Sequence, residues 1–255
     1  MNNTRSVETL RTCFEKPGMS PGTFLGLASS SAIEVAGLAG CEWVLLDLEH
    51  GGGTLEQVGP SVQAANAAGV GLVVRVPKPE RSVIGWVLDQ GVAGVMLPRI
   101  ESAEEAREYA SYFDYPPTGQ RGVASYTRSA GWGSHSVRST ARGLCIVQIE
   151  TAGAMSELSD IAAVKGIDSL FIGPLDLSFA LGVPEDMDSP VFTEAFAEVV
   201  KQGHARNLSV GSLISDPARI PFMQEQGIDY LSLGSDALAL RRGLSAQVAA
   251  LTAGD

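Results

Sequence analysis

The sequence predicts an α/β chain folded as one closed (β/α)8 barrel, 1–255, with a short N-terminal helix in front of it. Three observations carry that expectation. Short β-branched and apolar runs alternate with longer amphipathic runs, eight of each after the first twenty residues. The short runs are almost continuously apolar, the pattern of parallel strands covered on both faces. Eight such units fill 255 residues with no linker or low-complexity tract, which suits a barrel better than two domains.

Each element follows from its residues. Residues 1–20 form a helical extension, in which Met1–Gly18 reads as a helix laid across one barrel end. Thr23–Leu27 is the first strand and Ser31–Ala39 its helix, then Trp43–Leu48 and Leu55–Ala68. Gly71–Val76 leads to a helix over Arg81–Gln90, and Gly94–Leu97 to one over Ser102–Phe113. The last of these opens with Ser-Ala-Glu-Glu, a capping-box pattern that satisfies free N–H groups at a helix start. From Tyr115 to about Arg142 the alternation breaks into an irregular stretch rich in Gly, Ser, Pro and Arg. Strands then resume at Leu144–Ile149, Ser169–Ile172, Val210–Leu213 and Tyr230–Leu233. Their helices cover Ala154–Val164, Pro190–Arg206, Ala218–Gln226 and Ala237–Leu251.

Composition removes several function classes. Lys and Arg total 18 against 29 Asp and Glu, a net charge of −11 that opposes a nucleic-acid surface. No apolar run reaches the ~18 residues of a membrane span. The first twenty residues carry Glu8 and Glu15 and lack an apolar centre, unlike a signal peptide. Cys13, Cys41 and Cys145 are an odd number without C-x-x-C spacing, as expected of reduced thiols in a cytoplasmic protein.

Barrel enzymes carry their chemistry at the C-terminal ends of the strands. Here those ends hold Asp47, Glu49 and His50; Arg75; Arg99; Gln148 and Glu150; and Gly173 to Asp176. Glu150 and Asp176, on neighbouring strands, suit a hard divalent cation, which takes one or two protein carboxylates and fills its shell with water and substrate. Capping of the next helix is the alternative for Asp176. His50 is suited to a general base, with Asp47 placed to orient its ring, or else it anchors the Gly51–Gly52 turn. Arg75 interrupts an apolar strand, so it either faces the active centre or pairs with Glu49 or Asp47. Arg121 and Arg128 read as anion contacts or surface charges, and His135 and His204 as structural.

WVLLDLEHG (43–51), VVRVP (73–77), LPRIESAEEA (97–106), GQRGVASYTR (119–128), VQIET (147–151) and FIGPLDLSFALG (171–182) together resemble one family. It is the HpcH/HpaI type of class II pyruvate aldolase, whose best-known member cleaves 4-hydroxy-2-oxoheptanedioate. The resemblance runs from about Gly22 to the C-terminus. It implies Glu150 and Asp176 as ligands of Mg2+, Mn2+ or Co2+, His50 as base with Asp47, and Arg75 beside the enolate oxygen. It further implies Gln148 near the metal, backbone donors at Gly173 and Leu175 for the substrate carboxylate, and Asp89 reaching a neighbouring subunit's site. Hexamers of barrels, often exchanging the last helix, are expected, acting on a small 2-oxo acid (pyruvate or hydroxypyruvate) and an aldehyde. Ser129–Thr140 and Gly51–Gly53 depart from the heptanedioate pattern and leave the aldehyde open.

Three rival readings stand beside this one. A Schiff-base aldolase would need a buried lysine, and of Lys16, Lys78, Lys165 and Lys201 only Lys78 lies near a strand end. A lyase like the citrate lyase β-subunit would act on an acyl-CoA and need basic residues for its phosphates. A non-catalytic barrel would have no reason to hold Asp47, His50, Arg75, Glu150 and Asp176 together.

Overall fold

The computed structural model describes residues 3–253. Eight parallel strands close in chain order: β1 (Ser20–Leu25), β2 (Trp43–Asp47), β3 (Gly71–Arg75), β4 (Gly94–Leu97), β5 (Leu144–Ile149), β6 (Ser169–Ile172), β7 (Ser209–Ile214) and β8 (Tyr230–Ser235). Before them comes α1 (Asn3–Glu15); Met1 and Asn2 lie outside the described residues. Around them run α2 (Ser30–Leu38), α3 (Val58–Ala68), α4 (Arg81–Asp89), α5 (Ala103–Ser111), α6 (Ala152–Ser156), α7 (Leu158–Ala162), α8 (Pro174–Ala180), α9 (Pro190–His204), α10 (Ile220–Gln226) and α11 (Asp236–Thr252). The (β/α)8 expectation holds. Among the described residues no helix is long and apolar enough to cross a membrane.

Period-two alternation divides each strand between two cores. Val44 and Leu46 of β2, Leu72 and Val74 of β3, and Val147 and Ile149 of β5 join the outer core beneath the helices. Trp43, Leu45, Val73, Met96, Ile146 and Phe171 join a separate core inside the barrel. Continuing the inner series along the strands gives Asp47, Arg75, Gln148, Glu150 and Gly173. The barrel lumen is thus apolar near the strand starts and polar where the strands end.

The helix α1 closes the apolar end. Phe14 stacks on Tyr230 with ring centroids 3.6 Å apart and meets Trp43 edge-on at 5.8 Å. Leu10 is fully buried, and only glycine fits beneath it: a Cβ at Gly71 would lie 2.8 Å from Leu10 Cδ1, and one at Gly94 3.0 Å from Cδ2. Burying these aromatic and aliphatic groups supplies much of the stability at this end.

Local readings need correction in four places. The first strand is Ser20–Leu25, not Thr23–Leu27. The helix expected over Leu55–Ala68 starts as a 3-10 turn at Leu55–Gln57. The one expected over Ala154–Val164 is two short helices that meet at Glu157. Residues Pro174–Ala180, for which the sequence reading gives no helix, form α8 with Pro174 in its first turn.

Candidate active site

The polar end begins where β2 stops. The Asp47 carboxylate turns back on its own chain, and Oδ1 accepts the backbone N–H groups of Glu49 (3.1 Å) and His50 (3.3 Å). The turn that follows packs against β1: Gly52 N–H donates to Gly26 O at 2.9 Å, and a side chain at Gly51 would overlap Asp47 O. Glycine is required there by close approach.

On the neighbouring strand Arg75 meets Asp47 in register and holds it with a fork. Nε donates to Oδ1 at 2.9 Å and Nη2 to Oδ2 at 2.7 Å. Its Nη1 lies 3.2 Å from Glu49 Oε2 and donates to Gln148 Oε1 at 3.4 Å. Beneath it is the ring of Phe24, 5.2 Å from Cζ, at the boundary with the apolar lumen. Burial opposes ionisation of Asp47, but the hydrogen bonds from Arg75 outweigh it and hold the carboxyl below its ordinary range. Both alternatives read from the sequence for Arg75 are therefore realised together. It faces the lumen and pairs with Asp47 and Glu49.

Glu150 sits across the lumen, 4% exposed. Its Oε2 accepts Gln148 Nε2 at 2.8 Å and its Oε1 accepts the Arg99 N–H at 2.8 Å. No cation pairs with it among the described residues. Burial pushes its carboxyl up to about 7; the Arg99 N–H opposes the rise, and the charges of Asp176 and Glu49 add to it. Asp176 lies in the first turn of α8, exposed, and provides no side-chain cap there. A side chain at Gly173 would overlap Glu150 Oε2, so glycine keeps open the space beside that carboxylate.

The expected residues therefore assemble on one rim, with three differences of detail. The His50 ring is not hydrogen-bonded to Asp47, whose oxygens are committed to Arg75 and the turn; its nearest acid is Glu49, with Nε2 3.8 Å from Oε2 and the side chain 69% exposed. Gly173 N–H donates to Ile149 O at 3.4 Å, so of the two expected backbone donors Leu175 is the one without a partner among the described residues. Asp89 is not on the rim. It ends α4, on the side where strands begin, and its Oδ1 lies 2.8 Å from Arg121 Nη2.

Two residues were missed as site members. Glu49 is largely buried between Arg75 and His50, and burial raises its carboxyl although Arg75 opposes the rise. Its place in the Asp-x-Glu-His run was the available signal. Arg99 adopts a left-handed backbone (φ 54°) that aims its N–H at Glu150, and no sequence pattern announces that.

Asp47 and Glu49 thus share one guanidinium, while Glu150 and Asp176 form no ion pair among the described residues. Among the described residues no three His, Cys, Asp or Glu side chains form a ready cluster for a metal ion. The donor set instead fits a hard divalent cation bound by Glu150 and Asp176 and completed by water and substrate. Lysine chemistry has no foothold, since Lys78 is 77% exposed and lies 3.3 Å from Glu80.

The family model for HpcH/HpaI aldolase/citrate lyase matches residues 21–242. The 2-keto-3-deoxy-L-rhamnonate aldolase of Klebsiella pneumoniae subsp. pneumoniae is 33% identical over 232 residues, 89% of this chain and 87% of that protein. A crystal structure of a family member from Burkholderia cenocepacia J2315 superposes with a TM-score of 0.90 at 30% identity, covering 96% of this chain and 99% of that one. An HpcH/HpaI aldolase from Desulfitobacterium hafniense DCB-2 gives 0.85 at 26%, covering 96% and 95%. The chain belongs to the HpcH/HpaI aldolase/citrate lyase family and is an enzyme of its class II pyruvate aldolase type.

Proposed function

We propose that the enzyme cleaves 4-hydroxy-2-oxo acids, of the 3-deoxy sugar-acid kind named in its relatives, to pyruvate (or hydroxypyruvate) and a hydroxyaldehyde. One observation carries the reading: an unpaired Glu150–Asp176 couple opens onto the same lumen as a buried, fixed arginine. The substrate named for the relatives, 2-keto-3-deoxy-L-rhamnonate, is itself a 2-oxo acid with a hydroxyl at C4.

Glu150 and Asp176 would hold the divalent ion. When bound, it supplies Lewis-acid stabilisation of negative charge on the 2-oxo group. Gln148 keeps Glu150 aimed, and Arg75 is held rigid by Asp47, so its charge is in place before the enolate oxygen develops. His50 takes the C4 hydroxyl proton in cleavage and moves a proton at C3 of the pyruvate enolate. Its exposure gives it access to solvent, and Glu49 is its nearest acid. An acyl-CoA substrate fits less well, because Arg75 is committed to Asp47 and Glu49, and Arg219 lies 2.8 Å from Asp188.

The assembly reading concerns α11. No residue of this helix is buried, and Leu240, Leu244, Val248 and Leu251 form an exposed apolar stripe. Beside it a cavity of about 440 Å3 is lined by Leu25, Leu27, Val35, Leu233 and Leu240. Exposure of that kind supports a homohexamer that exchanges its last helix, in which Asp89 serves a neighbour's site.

Proton NMR of pyruvate in D2O tests the reaction. Loss of the C3 methyl signal should require Mg2+ or Mn2+ and stop with chelator. Exchange that ignores both metal and chelator would refute the reading, as would none with either ion.

A further inference from the structure

Four arginines lie over aromatic rings: Arg75 on Phe24, Arg121 on Tyr115, Arg128 on Trp132 and Arg142 on Phe113. Three of them also hold carboxylates. Arg75 holds Asp47 and Glu49, Arg121 holds Asp89, and Arg142 holds Asp114 and Asp168. The Arg128 side chain has no hydrogen bond or ion pair among the described residues, and its Nε is buried without a partner. Arg128 itself is half-buried; a buried guanidinium N–H left without an acceptor is costly, and the planar guanidinium is the natural fork for a carboxylate.

The surroundings of Arg128 are those of a pocket. A cavity of about 380 Å3 is lined by Arg128, Trp132, His135, Gln63 and Asn66, and no acidic residue lines it. In a chain of net charge −11 that is an unusual local sign. Asn66 Oδ1 accepts from Ser6 Oγ, which leaves its NH2 group as the donor facing outward. Trp132 is held left-handed (φ 57°) between Gly131 and Gly133, and a side chain at Gly131 would crowd His135. The cavity lies between α3 and the long connection, at the α1 end of the barrel and away from Glu150.

We infer that this pocket binds a small organic carboxylate, with Arg128 as its fork and Trp132 as the platform beneath. It supplies the one pairing the other three stacked arginines already have. A bound anion would fasten the connection onto α3.

Malonate is the probe, titrated into EDTA-treated full-length protein at constant ionic strength. Tryptophan emission and calorimetry are read in parallel. The expected result is saturable binding whose emission change disappears in Trp132→Phe. Arg128→Gln should weaken binding about tenfold or more, the worth of one charge-assisted pair. Arg128→Lys keeps the charge without the fork; it should bind at an intermediate level, and serves if the Gln variant does not fold. Glu150→Gln should bind as wild type, which separates this pocket from the rim. The inference is overturned by absent binding, by equal binding in both Arg128 variants, or by phosphate binding through Arg128 where malonate does not. It also fails if malonate is inert and Arg128→Gln lowers the mass of the assembly, since Arg128 would then pair with a second copy.

Discussion

On the β2–β3 side of the rim Asp47 and Glu49 share one guanidinium, whereas Glu150 and Asp176 on the β5–β6 side share none. The first half is a closed electrostatic unit that is complete before any ligand arrives. The second is an open one, kept so by Gly173, whose missing side chain leaves room beside the buried Glu150 carboxylate. The contrast teaches where the fold stores rigidity and where it stores affinity for a cation. Each half should therefore break differently.

The largest expected effect is on the open half. Asp176→Asn should lower turnover about a thousandfold or more, the loss of several kcal/mol of charge stabilisation, and weaken Mn2+ binding. Calorimetric Mn2+ titration with single-turnover rates checks this; wild-type affinity would remove Asp176 as ligand. The closed half should fail in the fold instead. Arg75→Gln leaves Asp47 and Glu49 buried without a counter-charge, and chemical denaturation should show a loss of about 3–5 kcal/mol. His50→Ala should slow methyl exchange in pyruvate by about a hundredfold while metal affinity and melting temperature stay put. The smallest effect sharpens the comparison most. Glu150→Gln removes a buried charge that has no counter-ion and keeps one acceptor for the Arg99 N–H, so the metal-free protein at pH 8 should melt no lower than wild type. A clear drop would mean that Glu150 belongs to the closed unit.

The barrel was legible because a parallel strand covered on both faces must be apolar along its length, as Val44–Leu46 and Ile146–Val147 are. The first strand was displaced because its start carries Pro21 and Gly22, residues that weaken a strand pattern. In the fold Gly22 is strand, and it is glycine because any side chain there would overlap the Trp43 ring. The rim was legible because a charged residue ending an apolar strand must reach either the lumen mouth or a buried partner. The partners within it were not. Sequence spacing offered Asp47 to His50, but β2 ends at Asp47 and folds the next N–H groups onto that same carboxylate. Arg121 and Arg128, indistinguishable as sequence, separate only when Asp89 is found beside one of them. Pro174 could have signalled α8, since proline favours a helix's first turn.

The aromatic floor laid by α1 has a kinetic corollary. With Phe14, Tyr230 and Trp43 filling the lumen below and Phe24 under Arg75, the reaction chamber is a blind cup with a single mouth. Two products made in such a cup must leave by the same path. On the proposed reaction, the fragment held deepest, against Arg75 and Glu150, is expected to depart last and the aldehyde nearer the mouth first. The direction of that queue is set by a helix that touches neither product.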